Sequence, residues 1–249
     1  MKTITDKGTV EEFTLQAPQL HGDKTIWVYL PVGYAEAHNA YPVIYMHDGQ
    51  NVFDHTESQR REWHVEEKLN GLHGEAIVVG IEHGGDKHRI DEMTPFANET
   101  HGGGHADDYL DFIINLLKPY VDANYRTIKD KEHTTIFGSS VGGLISFYAL
   151  LKYPEVFGNA GVFSPSFWFS HEIYDYIKTV DKIEGRMYIM AGDRESYVMV
   201  TDIEEMEQLI LQRVANPAQV HKKVVRNGQH NEKLWRKEFA DAYKWLMEG

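Results

Sequence analysis

Residues Thr134–Pro154 read TTIFGSSVGGLISFYALLKYP. A β-branched and aromatic run, Thr134-Thr135-Ile136-Phe137, ends in Gly138-Ser139-Ser140-Val141-Gly142-Gly143. Apolar residues then return at Leu144, Phe147, Tyr148 and Leu151, which is helical spacing. The segment reads strand, tight turn, helix. Within it, Gly138-x-Ser140-x-Gly142 is the pattern of a nucleophile elbow: glycines permit a turn too sharp for side chains, and the serine hydroxyl stands proud of the sheet. The Val141 N–H opens the helix and points where an oxyanion would form. Three fixed positions in five recur by chance, so the flanking strand and helix carry the assignment of Ser140 as candidate nucleophile.

Outward from this unit the chain alternates. Val10–Leu15 and Thr25–Leu30 are predicted strands joined by a punctuated turn, an antiparallel pair at one edge of a sheet. Tyr41–Met46 and Ala76–Glu82 are apolar strands of the buried kind, with a helix predicted over Trp63–Leu72 between them. Asp107–Asn124 has apolar residues at Leu110, Ile113, Leu117 and Val121 and is predicted helical, with Pro119 expected to kink or restart it. After the elbow come strands at Ala160–Phe163, Arg186–Ala191 and His221–Val225, and helices over Thr201–Val214 and Glu232–Met247. Such alternation implies an α/β fold, a mostly parallel sheet with an antiparallel edge and helices on both faces. With 249 residues and no repeat or linker, one domain is expected. The polar segment 83–105 is too long for a connector and is expected to be a lid or binding loop.

Ligands on open parallel sheets bind at the carboxyl ends of the strands, so the residues just beyond each strand matter most. Gly192-Asp193-Arg194-Glu195 follows one late strand and Arg226-Asn227-Gly228-Gln229-His230 follows the last. Serine, acid, histidine is the chain order of the α/β-hydrolase triad. A serine hydroxyl is a poor nucleophile at neutral pH, so His230 would take its proton and a carboxylate would fix the imidazole tautomer. Asp193 and Glu195 compete for that carboxylate role. His47-Asp48-Gly49-Gln50 follows the third strand, where this fold supplies a second oxyanion donor, and Gln50 is the candidate beside Val141. Asp48 pointed inward would oppose the developing charge, so it is expected to turn away and brace the loop.

Composition narrows the field. A net charge of −13 argues against nucleic acid or anionic membrane as the main partner. There are no cysteines, which excludes disulfides and thiolate metal sites. No window approaches the ~18 apolar residues of a membrane span, and MKTITDKGTVEEF has no apolar signal core, so a cytoplasmic location is expected.

YMHDGQNVFD (45–54), DDYLDFI (107–113), HTTIFGSSVGGLISFYALLKYPEVFG (133–158), SPSFWF (164–169) and GQHNEKLW (228–235) together resemble the putative-esterase branch of the α/β hydrolases, which includes esterase D, enterochelin-type siderophore esterases and feruloyl esterases. The resemblance runs from about Thr25 to the C-terminus. It implies a serine hydrolase cleaving a small-molecule carboxylic ester through an acyl-enzyme, without a cofactor. It also implies the acid three residues after the glycine, which favours Glu195 over Asp193. The HDGQ loop departs from the glycine-rich HGGG loop of many serine hydrolases.

Three further residues are candidates for substrate contact. Trp168 follows the sixth strand and offers a stacking face for a sugar or aryl ring. Arg89 lies on the active side within segment 83–105, with an acidic substrate group or an internal ion pair as its partner. His47 is the third. Two other readings are open: a metal-dependent activity using His101, His105 and Asp107, and a silent hydrolase fold serving as a binding module. Histidines four apart on glycines lack helical ligand spacing, and a silent module has no need of a strained serine turn.

Overall fold

The computed structural model describes residues 7–20, 22–53 and 62–248. Asp54, the last residue of the 45–54 motif, lies outside them. β1 (Thr9–Leu15) and β2 (Lys24–Leu30) form an antiparallel hairpin, with Phe13 opposite Ile26. There follow β3 (Val43–His47), α1 (Val65–Leu72), β4 (Ile77–Ile81), α2 (Asp86–Met93), α3 (Ala106–Phe112) and α4 (Lys118–Asn124). The elbow unit is β5 (Thr134–Ser139) and α5 (Val141–Lys152). β6 (Asn159–Phe163), α6 (Glu172–Thr179), β7 (Arg186–Gly192), α7 (Met199–Leu211), β8 (Val220–Val225) and α8 (Glu232–Glu248) complete the chain.

The sheet order is β1-β2-β4-β3-β5-β6-β7-β8. β2 runs antiparallel to both neighbours, and from β4 onward the pairings are parallel. The order reverses around β3, which sits between β4 and β5, so the crevice of this sheet opens at the carboxyl ends of β3 and β5. Alternate residues of β3 serve the two faces. Val43 and Tyr45 join the core under α3, α4, α5, α6 and α7, while Ile44 and Met46 join the core under α1 and α8. Both faces are therefore covered, as parallel strands buried throughout require.

Two helices lie where sequence patterning predicts none. α6 has a buried stripe at Ile173, Tyr174 and Ile177, too short for a clear period in the sequence. α2 lies inside segment 83–105 and packs on α3 and α5. Its residues, DKHRIDEM, are mostly polar, so periodicity is silent there. It is secured by the buried Lys24–Glu92 ion pair, with both carboxylate oxygens 2.7 Å from Nζ. The run from α3 to α4 stays helical through Pro119 because Ile113–Leu117 forms a π turn, with the Lys118 N–H donating to Ile113 O. The restart at Pro119 thus occurs without a break, proline standing in the first turn of α4 where an N–H is dispensable.

Among the described residues no helix is long and apolar enough to cross a membrane. At the end of β3, His47 is 2 % exposed, and its Nδ1 lies 2.9 Å from the Tyr109 hydroxyl. Burial lowers its pKa to about 4; Asp48 opposes that shift and the Arg89 charge adds to it. A histidine depressed from its ordinary 6.5 contributes stability that is complete above that pH and lost as pH falls toward 4. Urea unfolding should therefore lose about 3 kcal/mol over that window from His47. The difference between wild type and His47→Gln isolates this contribution from the carboxylates titrating alongside. Equal pH slopes in the two proteins would show that His47 is not held neutral.

Candidate active site

The site begins with backbone strain. Among the described residues, six non-glycine positions have positive φ, and four of them stand just beyond strands: Asp48 after β3, Ser140 after β5, Ser164 after β6 and Asn227 after β8. Such conformations cost on the order of 1–3 kcal/mol each and gather where geometry serves a site. Ser140, at φ 60° and ψ −123°, turns β5 into α5. The turn closes so tightly that a Cβ on Gly138 would stand 2.7 Å from Gly142 O. Ser140 N–H donates to Phe163 O at 2.9 Å, and Ser140 O accepts from Ser166 N–H at 3.1 Å, which fastens the elbow to the end of β6. Val141 N–H belongs to the first turn of α5, whose amides have no carbonyl partner within the helix.

His230 and Glu195 meet. His230 Nδ1 is 2.7 Å from Glu195 Oε2, the carboxylate being 1 % exposed and the imidazole 36 %. Glu195 Oε1 accepts from Gly192 N–H at 2.5 Å and from the Ser164 hydroxyl at 2.7 Å. Trp235 Nε1 donates to Ser164 Oγ at 2.8 Å, and the Trp235 ring meets His230 edge-on at 5.1 Å. One oxygen of the acid is thus saturated by fixed donors and the other is left to the histidine. Asp193 is differently engaged, accepting from Asn227 N–H at 2.6 Å and so bracing the turn after β8. The loops carrying acid and histidine touch backbone to backbone, since a Cβ on Gly192 would lie 2.4 Å from Gly228. Ser140 Oγ is 3.3 Å from Ser166 Oγ, and it makes no hydrogen bond to His230 among the described residues. Nucleophile–base bonds are often long in unliganded hydrolases and tighten on substrate.

Opposite lies the β3 loop. Gly49–Asn51 forms a 3-10 turn, and the Gln50 side chain makes hydrogen bonds to both backbone groups of His83, at 3.0 and 3.2 Å. Arg89 of α2 grips Asp48 with two parallel bonds, Nε to Oδ1 at 2.6 Å and Nη2 to Oδ2 at 2.7 Å. Burial drives the Asp48 carboxyl up, but the Arg89 charge and hydrogen bonds, helped by His83 and His47, leave it below its usual range. Of the two partners open to Arg89, the internal ion pair is the one formed. His47 lies beneath the loop, buried, rather than at its surface.

These elements enclose a cleft of about 160 Å³ lined by Asp48, Asn51, His83, Arg89, Ser140 and Trp235 among others. Larger clefts of about 350 and 420 Å³ lie at the amino ends of the strands. Neither is lined by Ser140, so volume does not locate the chemistry here. Trp168 is half exposed, its ring near His101 and Phe169. The histidines of the 101–105 loop part company: His101 faces Trp168, His105 approaches Asp108 at 3.5 Å, and Asp107 is taken by Tyr148 and Lys152. No group of three His, Asp or Glu side chains among the described residues is arranged to hold a metal ion.

Sequence reasoning does not identify Ser164, Ser166 and Trp235 as parts of the site. Their available signal is position: the two serines lie just after β6, and Trp235 falls in the first turn of α8, the helix that follows His230.

The chain resembles known proteins in sequence and in fold. YbbA, an uncharacterised protein of Bacillus subtilis, is 26% identical over 239 residues, 90% of this chain and 93% of that one. The ferri-bacillibactin esterase BesA of the same organism is 33% identical over 142 residues, 51% of this chain and 48% of its own. The enterobactin esterase FES of Shigella flexneri, solved in the presence of enterobactin, superposes with a TM-score of 0.80 at 21% identity, covering 96% of this chain and 59% of FES. The sequence profile described as putative esterase matches residues 17–246, and the chain belongs to that family.

Proposed function

We propose that this protein is a serine hydrolase that cleaves carboxylic esters through an acyl-enzyme intermediate. The observation that carries the reading is the Glu195–His230 pair, 2.7 Å long, carried by loops at the carboxyl edge of the sheet, the edge where Ser140 stands on its strained turn. Membership of an esterase family and similarity to two siderophore esterases support the ester as the bond attacked. Small acyl, sugar and aryl esters are the substrate classes proposed, with Trp168 as an exposed aromatic surface for the ring-bearing ones.

Ser140 Oγ adds to the ester carbonyl as its proton passes to His230 Nε2, and the carbonyl π electrons move onto oxygen. The N–H groups of Val141 and Gln50 receive that oxyanion, the first at the positive end of α5. Glu195 stabilises the imidazolium at Nδ1. The tetrahedral species collapses, the C–O bond to the alcohol breaks, and His230 gives its proton to the departing alkoxide. Water repeats the sequence on the acyl-enzyme, releasing the acid and free Ser140. Glu195 suits its part because Gly192 and Ser164 hold it from behind, so the imidazole ring inherits a fixed orientation.

A fluorophosphonate probe should label the protein at Ser140, and Ser140→Ala should abolish both labelling and p-nitrophenyl acetate hydrolysis; equal labelling of that variant would refute the nucleophile. Glu195→Gln should lower kcat by at least about 100-fold, while Asp193→Asn, which loosens only the β8 turn, should cost a few-fold at most. The reverse ranking would transfer the acid role to Asp193. Ser164→Ala should lower kcat about tenfold, as expected for one hydrogen bond to a charged group.

A further inference from the structure

Asp48 is a buried carboxylate in an awkward place for ester hydrolysis. A Cβ built on Gly142 would stand 3.5 Å from its Oδ2, so the acid lies against the first turn of α5, the turn to which Val141 N–H belongs. A bare negative charge there would occupy the positive end of the helix dipole and repel charge growing on a substrate oxygen. It is also paired with unusual completeness. Arg89 supplies two charge-assisted bonds in fork geometry, and its Nη2 reaches 3.4 Å from the carbonyl of Ser139, the residue before the nucleophile.

The loop's position has an independent fastening. Gln50 holds both backbone groups of His83 at the end of β4, and α2, which presents Arg89, is anchored at its far end by Lys24–Glu92. What the Arg89 fork adds to this is charge. Asp48, Arg89 and Ser140 line one cleft, where the low dielectric leaves a charge imbalance poorly screened.

We propose that Arg89 is a positioning residue of this site: by neutralising Asp48 beside the first turn of α5, it removes a negative charge that would oppose the oxyanion the Val141 and Gln50 amides are proposed to stabilise. The proposal rests on the reading of Ser140 as nucleophile. It assigns Arg89 to the enzyme's own electrostatics, acting through Asp48, and gives Asp48 a liability that Arg89 cancels.

The test is steady-state hydrolysis of p-nitrophenyl acetate, a neutral ester with nothing for Arg89 to bind, alongside fluorophosphonate labelling and thermal melts. R89M should lower kcat by about 100-fold with KM changed little, the size of losing an oxyanion donor. The isosteric neutralisation D48N, placed on R89M, should restore at least about tenfold, and R89K, which keeps the charge, should stay within about tenfold of wild type. A role confined to holding the loop predicts the opposite, because the double variant has lost both halves of the fork. The proposal is overturned if D48N fails to rescue R89M, if the loss lies in KM, or if R89K falls as far as R89M. R89K also decides the matter should R89M not fold. Absence of labelling at Ser140 in the wild type would overturn the nucleophile and this proposal together, whereas normal labelling with no rescue overturns this proposal alone.

Discussion

The chain must reverse from β5 into α5 within one residue, and everything at the carboxyl edge of the sheet is arranged around that demand. Ser140 absorbs the reversal in a backbone conformation that L side chains rarely adopt. Gly138, two residues before it, has no room for a side chain, and the surrounding loops must hold the turn shut. The end of β6 and the loop after it do so through Phe163 O and Ser166 N–H. An aromatic layer lies below. Trp63 stacks on Phe163 and Trp235 and meets Phe137 edge-on, joining β5, β6 and α8 in one rigid floor.

The acid and the histidine come from further along the sheet, and their alignment follows from chain economy. β7 and β8 end side by side, Ala191 opposite Val224 and Gly192 opposite Val225. The loops that leave them are pressed together at Gly192 and Gly228. Two carboxylates issue from one of those loops and divide the work. Asp193 ties the neighbouring loop's backbone, and Glu195, two residues on, turns inward to the imidazole.

Much of this was legible before any coordinates. The eight strands and the antiparallel edge follow from period-two and continuous apolar runs, and their limits shift by only a residue or two in the structure. Ser140 and His230 are visible because each follows a strand, whereas position alone leaves Asp193 and Glu195 both open and only the family resemblance favours Glu195. What escaped is of another physical kind. α2 is a mostly polar helix anchored in part by a buried ion pair with Lys24, sixty-eight residues away, and no local window registers such a partner. Ser164 and Trp235 are ordinary residues in sequence that become supports for Glu195 only when β6 and α8 meet. The Asp48–Arg89 fork is likewise a contact between two segments that are each unremarkable alone. Local pattern reports what one element buries, and these features depend on what two elements share.

The Lys24–Glu92 pair carries a consequence for how this sequence can drift. Losing one partner strands a charge in the interior, at a cost of about 3–5 kcal/mol, while exchanging both for well-packed apolar residues can be neutral. The two positions are therefore separated by a valley that single substitutions do not cross cheaply. That pair ties α2, which presents Arg89 to the cleft, to the first residue of β2, so a strand early in the chain constrains which variants of the site are reachable. Substitutions at position 24, buried at the start of β2, would be filtered as strictly as those beside the nucleophile, with nothing in the local sequence to announce why.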